Sequence, residues 1–220
     1  FDRAILNETQ SSILGADFAT VTGDANAGDK LILQAGNFTA TGLTFEKGLT
    51  FEGANSGIVA YSGGRGDEST ISVDGPITLD SAGSSFAFEG MALDNQSASA
   101  TALDVVNAGD VTVSNTLIRG GTTAIEAGDN GINVSGGLFD NTGTGVANLG
   151  GSSNPDFTVE TSRFTGGENG ITVTDTFGTG AIEDNRFLNL DTAVDLGANG
   201  TELTLSGNVF LGNDTHVIDT

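Results

Sequence analysis

Six pairs of apolar residues, each pair five positions apart, recur along this 220-residue chain at nearly even intervals. They are Phe88 and Leu93, Val113 and Ile118, Val134 and Phe139, Val159 and Phe164, Ile182 and Phe187, and Leu205 and Phe210. The second members stand 25, 21, 25, 23 and 23 residues apart. Seven positions after the second member a further apolar column follows, at Ile125, Val146, Ile171, Val194 and Val217. The first repeat reaches its equivalent, Leu103, after ten, which implies a three-residue insertion within 96–101. The residue before this column is small (Ala102, Ala124, Gly145, Gly170, Ala193), with His216 the exception.

Self-similarity at a period of 20–30 residues marks a solenoid. The Leu-x-x-Leu-x-Leu pattern of leucine-rich repeats is missing. Glycine interrupts every window long enough for a helical repeat. Two or three short alternating strands per turn remain, which is a parallel β-helix. The many Gly and Asn residues suit its corners, because both tolerate φ > 0. Inward residues of successive turns then lie about 4.8 Å apart. Leu93, Ile118, Phe139, Phe164, Phe187 and Phe210 are therefore expected to form one internal stack. The first half is less regular but consistent. Leu31-Ile-Leu33, Leu43-Thr-Phe45, Leu49-Thr-Phe51, Ile71-Ser-Val73, Ile77-Thr-Leu79 and Phe86-Ala-Phe88 each alternate.

The stretches AGDKLILQAGNFT (27–39) and LTFEKGLTFEGAN (43–55) resemble the opening turns of right-handed parallel β-helix proteins of the pectate-lyase-like superfamily. The resemblance covers roughly residues 27–218. It implies an all-β, right-handed parallel β-helix of about eight turns over 27–220, preceded by a capping or docking segment at 1–26. In that segment Phe1, Ala4, Ile5 and Leu6 fit one side of a short helix, and Ile13, Leu14 and Phe18 add apolar anchors. The superfamily holds lyases, hydrolases, epimerases, tailspikes, adhesins and non-enzymatic surface modules, so the fold alone does not assign an activity.

None of the catalytic patterns that the resemblance brings to mind is matched. The lyases use clustered Asp ligands for calcium with an Arg or Lys base. The hydrolases carry paired aspartates and Gly-His-Gly, whereas the one His here is His216. Asp-Pro-His of the epimerases is absent. Arg163 and Arg186 share a column, as do Glu160 and Glu183. This reads as a surface ladder in which Arg offsets Glu–Glu repulsion, and otherwise as a charged binding patch. Asp110, Asp156 and Glu202 precede first strands, with Gly131 and Gly180 between. Calcium is the ion such oxygen ligands suit, but acids two turns apart are about 10 Å apart, so no cofactor or metal site is assigned. GGRGDESTI (63–71) holds one imperfect copy of a calcium-binding nonapeptide and an Arg65-Gly66-Asp67 tripeptide; an Arg65–Glu68 contact is expected there.

Composition narrows the partners. Seven Lys+Arg stand against 29 Asp+Glu, a net charge of −22. Such a surface repels nucleic acid and anionic membranes. No apolar run approaches the ~20 residues that cross a bilayer. There is no Cys, so neither disulfides nor thiolate metal sites contribute. These traits fit an extracellular or cell-surface location. The expected function is structural: a rod, filament or adhesin module that pairs with itself or with adjacent modules. The alternative is a carbohydrate-active enzyme or a module that binds surface glycans. Against it, Trp is absent and Tyr61 is the single Tyr. The sequence stops partway around the coil, so either a longer solenoid continues it or a subunit completes it. In the second case Phe1, Ile5, Leu6 and Leu14 are expected to cover a neighbour's Leu203, Leu205, Phe210 and Val217, head to tail.

Overall fold

The computed structural model describes residues 4–15, 17–128, 130–140, 142–149, 156–174, 179–197 and 203–219, with the backbone alone at Ile13, Leu14 and Asp219. The chain coils into a β-solenoid with three walls. The first wall is a parallel ladder of Lys30–Leu33, Thr50–Glu52, Phe86–Glu89, Asp110–Ser114, Gly131–Ser135, Phe157–Glu160, Gly180–Glu183 and Leu203–Ser206. The second and third walls belong to one bent sheet. In four turns a single strand runs through both: Gly36–Phe45, Ser69–Asp80, Arg163–Val173 and Arg186–Leu196. In the others it breaks at the corner. Ala92–Asn95 is followed by Thr101–Asn107, Leu117–Arg119 by Thr123–Ala127, Leu138–Asp140 by Thr144–Asn148, and Val209–Leu211 by Thr215–Asp219. The eight rungs of the first wall make about seven turns, close to the expected eight.

On each wall one inward apolar column runs through all eight rungs in register. The first is Leu31, Phe51, Phe88, Val113, Val134, Val159, Ile182 and Leu205. The second is Phe38, Ile71, Leu93, Ile118, Phe139, Phe164, Phe187 and Phe210. The third is Leu43, Ile77, Leu103, Ile125, Val146, Ile171, Val194 and Val217. In the second column the Phe rings lie nearly parallel. Centroids are 4.5 Å apart for Phe139–Phe164, 5.0 Å for Phe164–Phe187 and 5.3 Å for Phe187–Phe210, with interplanar angles of 10° or less. Rungs held at strand spacing impose that separation, and it falls within the range at which aromatic pairs attract.

The small column has a mechanical reason. A Cβ on Gly145 would lie 2.5 Å from the ring of Phe164, and one on Gly170 2.7 Å from the ring of Phe187. Each ring therefore lies across the small residue of the turn before it. At the last described rung the position is His216. Its imidazole instead stacks on Phe210 at 5.4 Å.

The corner between the first and second walls repeats a backbone conformation rather than a residue. Gly90, Asn115, Gly136, Thr161, Asp184 and Gly207 all have φ between 45° and 67°. Just inside this corner lies a polar ladder that links turn to turn. Ser162 Oγ donates to Glu160 O at 2.9 Å and accepts from Gly137 N at 3.0 Å. Asn185 Nδ2 donates to Val159 O at 2.8 Å while its Oδ1 accepts from Ser162 N at 2.9 Å. Asn208 repeats the pattern with Ile182 O and Asn185 N. Thr116, Ser162 and Asn185 are fully buried, so these bonds satisfy backbone groups that water cannot reach.

The N-terminal segment corrects the expectation of a helix around Ile5 and Leu6. Ile5–Asn7 is a strand in a hairpin with Ser12–Gly15, and it pairs antiparallel with Leu31–Leu33. The helix lies later, at Phe18–Asp24, with Asp17 capping its N-terminus through Thr20 N. Phe18 packs on Phe45 and Phe51 and so closes the core from below. Asp29 ties hairpin to coil, accepting from Asn7 Nδ2, Gln10 Nε2 and Asn26 N at 2.6–2.7 Å. Burial pushes its carboxyl up, but these bonds and the Lys47 charge outweigh it and hold it below the usual carboxylate range.

Candidate functional site

Side chains pointing away from the core also form columns, so any site on this molecule must be built across rungs. Three acid pairs arise in this way: Glu52 with Glu89, Asp104 with Glu126, and Glu160 with Glu183. Most of these carboxylates find local relief. Glu52 meets Lys30 at 2.7 Å. Glu89 accepts from Ser56 Oγ and Gly57 N, Glu126 from Thr101 Oγ1, and Glu183 from Ser206 Oγ. The Asp104 carboxyl is raised above its ordinary value, first by burial and then by the Glu126 charge.

Asp110 and Asp156 flank Gly131 on the first wall, lining an open depression of about 300 Å³ with Thr112, Asn133 and Thr158. Asp156 accepts from Thr179 Oγ1 at 2.7 Å. Glu202, the third acid of the series, lies outside the described residues. Among the described residues no group of three or more His, Cys, Asp or Glu is placed to hold a metal ion.

The cations sort into two kinds. Lys30 bridges Glu8 and Glu52, and its hydrogen bonds to Glu52 and then Glu8 push its ammonium up to about 12. Lys47 Nζ donates to Gly23 O and Ala25 O at the end of the helix. Arg119 pairs with Asp94 at 3.1 Å. Arg65 is the most enclosed, with a side chain 8% exposed. It forms a two-pronged pair with Glu68 and donates to the carbonyls of Ile58, Met91 and Asn115. The expected Arg65–Glu68 contact is therefore present, and Arg65 of the Arg-Gly-Asp tripeptide faces inward rather than outward.

Arg163 and Arg186 are different. They sit in register on adjacent rungs of the second wall. Among the described residues neither guanidinium reaches a carboxylate within 4.0 Å, and Arg163 Nε is buried with no acceptor. This corrects the expected Arg–Glu ladder. Glu160 and Glu183 belong to the first wall, and the left-handed residues Thr161 and Asp184 turn the chain between them and the arginines.

Residues 53–68 form a strap that sequence reasoning missed. It leaves the second rung and descends outside the corner to the sixth. Asn55 N bonds Gly90 O, Ala60 N bonds Gly136 O, and Tyr61 Oη donates to Thr161 O at 2.9 Å. Its signal was length: Phe51 and Ile71 are twenty positions apart where later turns need five.

Of the residues expected at an assembly surface, Ile5 is fully buried under its own first rung and Leu6 is half-buried beside it. Phe1 and the side chain of Leu14 lie outside the described residues. At the other end Leu203, Leu205 and Phe210 are half-buried, and Val217, Val209 and Leu211 are 39%, 46% and 65% exposed.

Comparison of the chain with family models, curated proteins and solved structures returned no match. The parallel solenoid implied by the resemblance is present, while the superfamily itself finds no support in these comparisons. Among the described residues no helix is long and apolar enough to cross a membrane.

Proposed function

We propose that this chain is a structural β-solenoid module, a rigid rod segment of an extracellular protein. One observation carries this reading: most of the described ionic and corner chemistry joins one turn to another. Lys30, Arg65, Arg119, Ser162, Asn185 and Asn208 all bridge rungs or clamp the strap. The extracellular assignment rests on the Cys-free, strongly acidic composition.

The rung of Leu203, Leu205, Phe210 and Val217 is the contact surface in this proposal. Its apolar residues and strand edges accept a further β-rung, from an adjoining module or another subunit. Since Ile5 is enclosed in its own cap, the docking element of a second copy is the outer hairpin strand Ser12–Gly15, the edge of the ten-stranded sheet. Head-to-tail repetition of that contact does not close and gives a filament.

Light scattering against concentration tests the assembly. Leu211→Asp is expected to abolish any concentration-dependent growth while leaving the β-sheet circular dichroism unchanged. A parent chain that never grows removes the filament from the reading. Appearance of unsaturated product from pectate or alginate would replace the structural reading with an enzymatic one.

A further inference from the structure

We infer that Arg163 and Arg186 form a binding site for an oxyanion group, a carboxylate or sulfate, of the kind that acidic glycans carry. This site lies on the second wall, apart from the proposed stacking surface, and does not depend on assembly.

In-register neighbours on adjacent rungs are about 4.8 Å apart at the backbone. Two positive charges at that range repel by about 1 kcal/mol even in water. A chain with 29 acids has ample means to neutralise them, as it does at Lys30, Arg65 and Arg119. Here it does not. The outward column holds Leu138 before the pair and Val209 after it, so no acid stands in that column on either side. The flanking column holds Asp140 one rung before the pair, diagonal to Arg163, and then Thr165 and Leu188 beside the two arginines; Asp140 makes no ion pair with either arginine within 4.0 Å.

The second observation is independent of charge. Arg163 Nε is buried and makes no hydrogen bond. A buried donor without an acceptor is costly, and one in a native structure needs an explanation. A guanidinium presents Nε–H and one Nη–H in parallel, a fork that matches the two oxygens of a carboxylate or two of a sulfate. Arg186 is exposed and Arg163 half-buried, so an oxyanion arrives at the Arg186 guanidinium and relieves the repulsion there, and a small shift of the Arg163 side chain then presents its covered Nε–H to the same group. The net charge of −22 repels densely charged polymers at long range, so the site suits isolated oxyanion groups on an otherwise neutral sugar chain.

The side-chain Nε–H resonances of arginine report this directly in a ¹H–¹⁵N correlation spectrum. The folded protein is titrated with sodium sulfate, sodium glucuronate and glucose, with sodium chloride holding ionic strength constant. Saturable shifts of the Arg163 and Arg186 signals with sulfate or glucuronate, and none with glucose, are expected, while Arg119 stays still. Sulfate alone or glucuronate alone identifies which oxyanion the fork accepts. Arg186→Gln is expected to weaken binding about tenfold or more. Arg163→Lys, which keeps the charge but loses the fork, is expected to weaken it similarly. Shifts that sodium chloride reproduces, or that Arg119 shares, overturn the site. So does unaltered binding in both variants, each checked for an unchanged unfolding midpoint.

Discussion

Removing the ring of Phe164 is the sharpest test of how this solenoid is held together. Phe164 is 1% exposed and lies between Phe139 and Phe187 at 4.5 and 5.0 Å. Phe164→Ala deletes a whole stacked ring. The two flanking rings cannot close the gap, because backbone ladders fix their rungs on both sides. The transfer loss therefore adds to a nearly full cavity term, which places the change at about 4–5 kcal/mol, the upper part of the range for core Phe truncation. Phe210, in the same column, has one ring partner above it, stacks on His216 and is half-buried. Phe210→Ala is expected to cost about 1–2 kcal/mol, since only part of its surface leaves water. Thr158→Ser, on the outward side of the first wall, is expected to stay within about 0.5 kcal/mol. Urea unfolding followed by circular dichroism gives all three. Comparable losses at Phe164 and Phe210, or a small loss at both, would refute the claim that in-register stacking fixes the core.

Three further outcomes follow from the corners, strap and surface. Thr161 is a β-branched residue at φ 45°, a conformation that costs an L residue roughly 1–2 kcal/mol. Thr161→Asn is therefore expected to raise the urea midpoint, and an unchanged or lower midpoint counts against the strain. Gly90→Ala places a Cβ 2.2 Å from Ser56 N, so it is expected to lift the strap and open 53–68 to limited proteolysis, with the β-sheet signal kept. Protease resistance equal to the parent's would show that the strap does not depend on this contact. At Asp104 the folded carboxyl is raised, by burial first and Glu126 second, above its unfolded value near 3.9. The ionised form is thus disfavoured in the fold, and the penalty fades as pH falls through the raised value. Asp104→Asn is expected to be more stable than the parent at pH 7, with the gap narrowing in acid; a gap that widens in acid reverses the sign.

How much was legible depended on what repeats. Phe139, Phe164, Phe187 and Phe210 could be aligned from sequence because an inward position in a solenoid returns once per turn with the same burial. The insertion between Leu93 and Leu103 could be placed for the same reason. The corner ladder was not read, although it repeats equally well. Thr116, Gly137, Ser162 and Asn185 occupy the same corner position with four different residue types, so the column has no single letter. A polar residue two positions before Ile118, Phe164, Phe187 and Phe210, with Gly137 standing before Phe139, was the available signal. The cap was misread because four apolar residues fit a helical face as easily as a strand. What decided between them was pairing of Ile5–Asn7 with Leu31–Leu33, a contact that local periodicity does not encode. The Arg163–Arg186 column was visible, but its lack of a carboxylate depends on a corner turning Glu160 and Glu183 onto another wall.

The central claim is that residues far apart in sequence are spaced by rung number alone on a rigid coil. The chain has no Cys, so paired spin labels can be introduced at chosen outward sites without background. Thr50, Thr112, Thr158 and Thr204 occupy one outward column of the first wall. Labels at Thr112 and Thr158 are two rungs apart, at Thr50 and Thr158 four, and at Thr50 and Thr204 six. Pulsed and continuous-wave electron paramagnetic resonance should give separations rising linearly, near 10, 19 and 29 Å at about 4.8 Å per rung, with narrow distributions. Broad distributions, or separations that do not rise in proportion to rung number, would contradict the stacked solenoid.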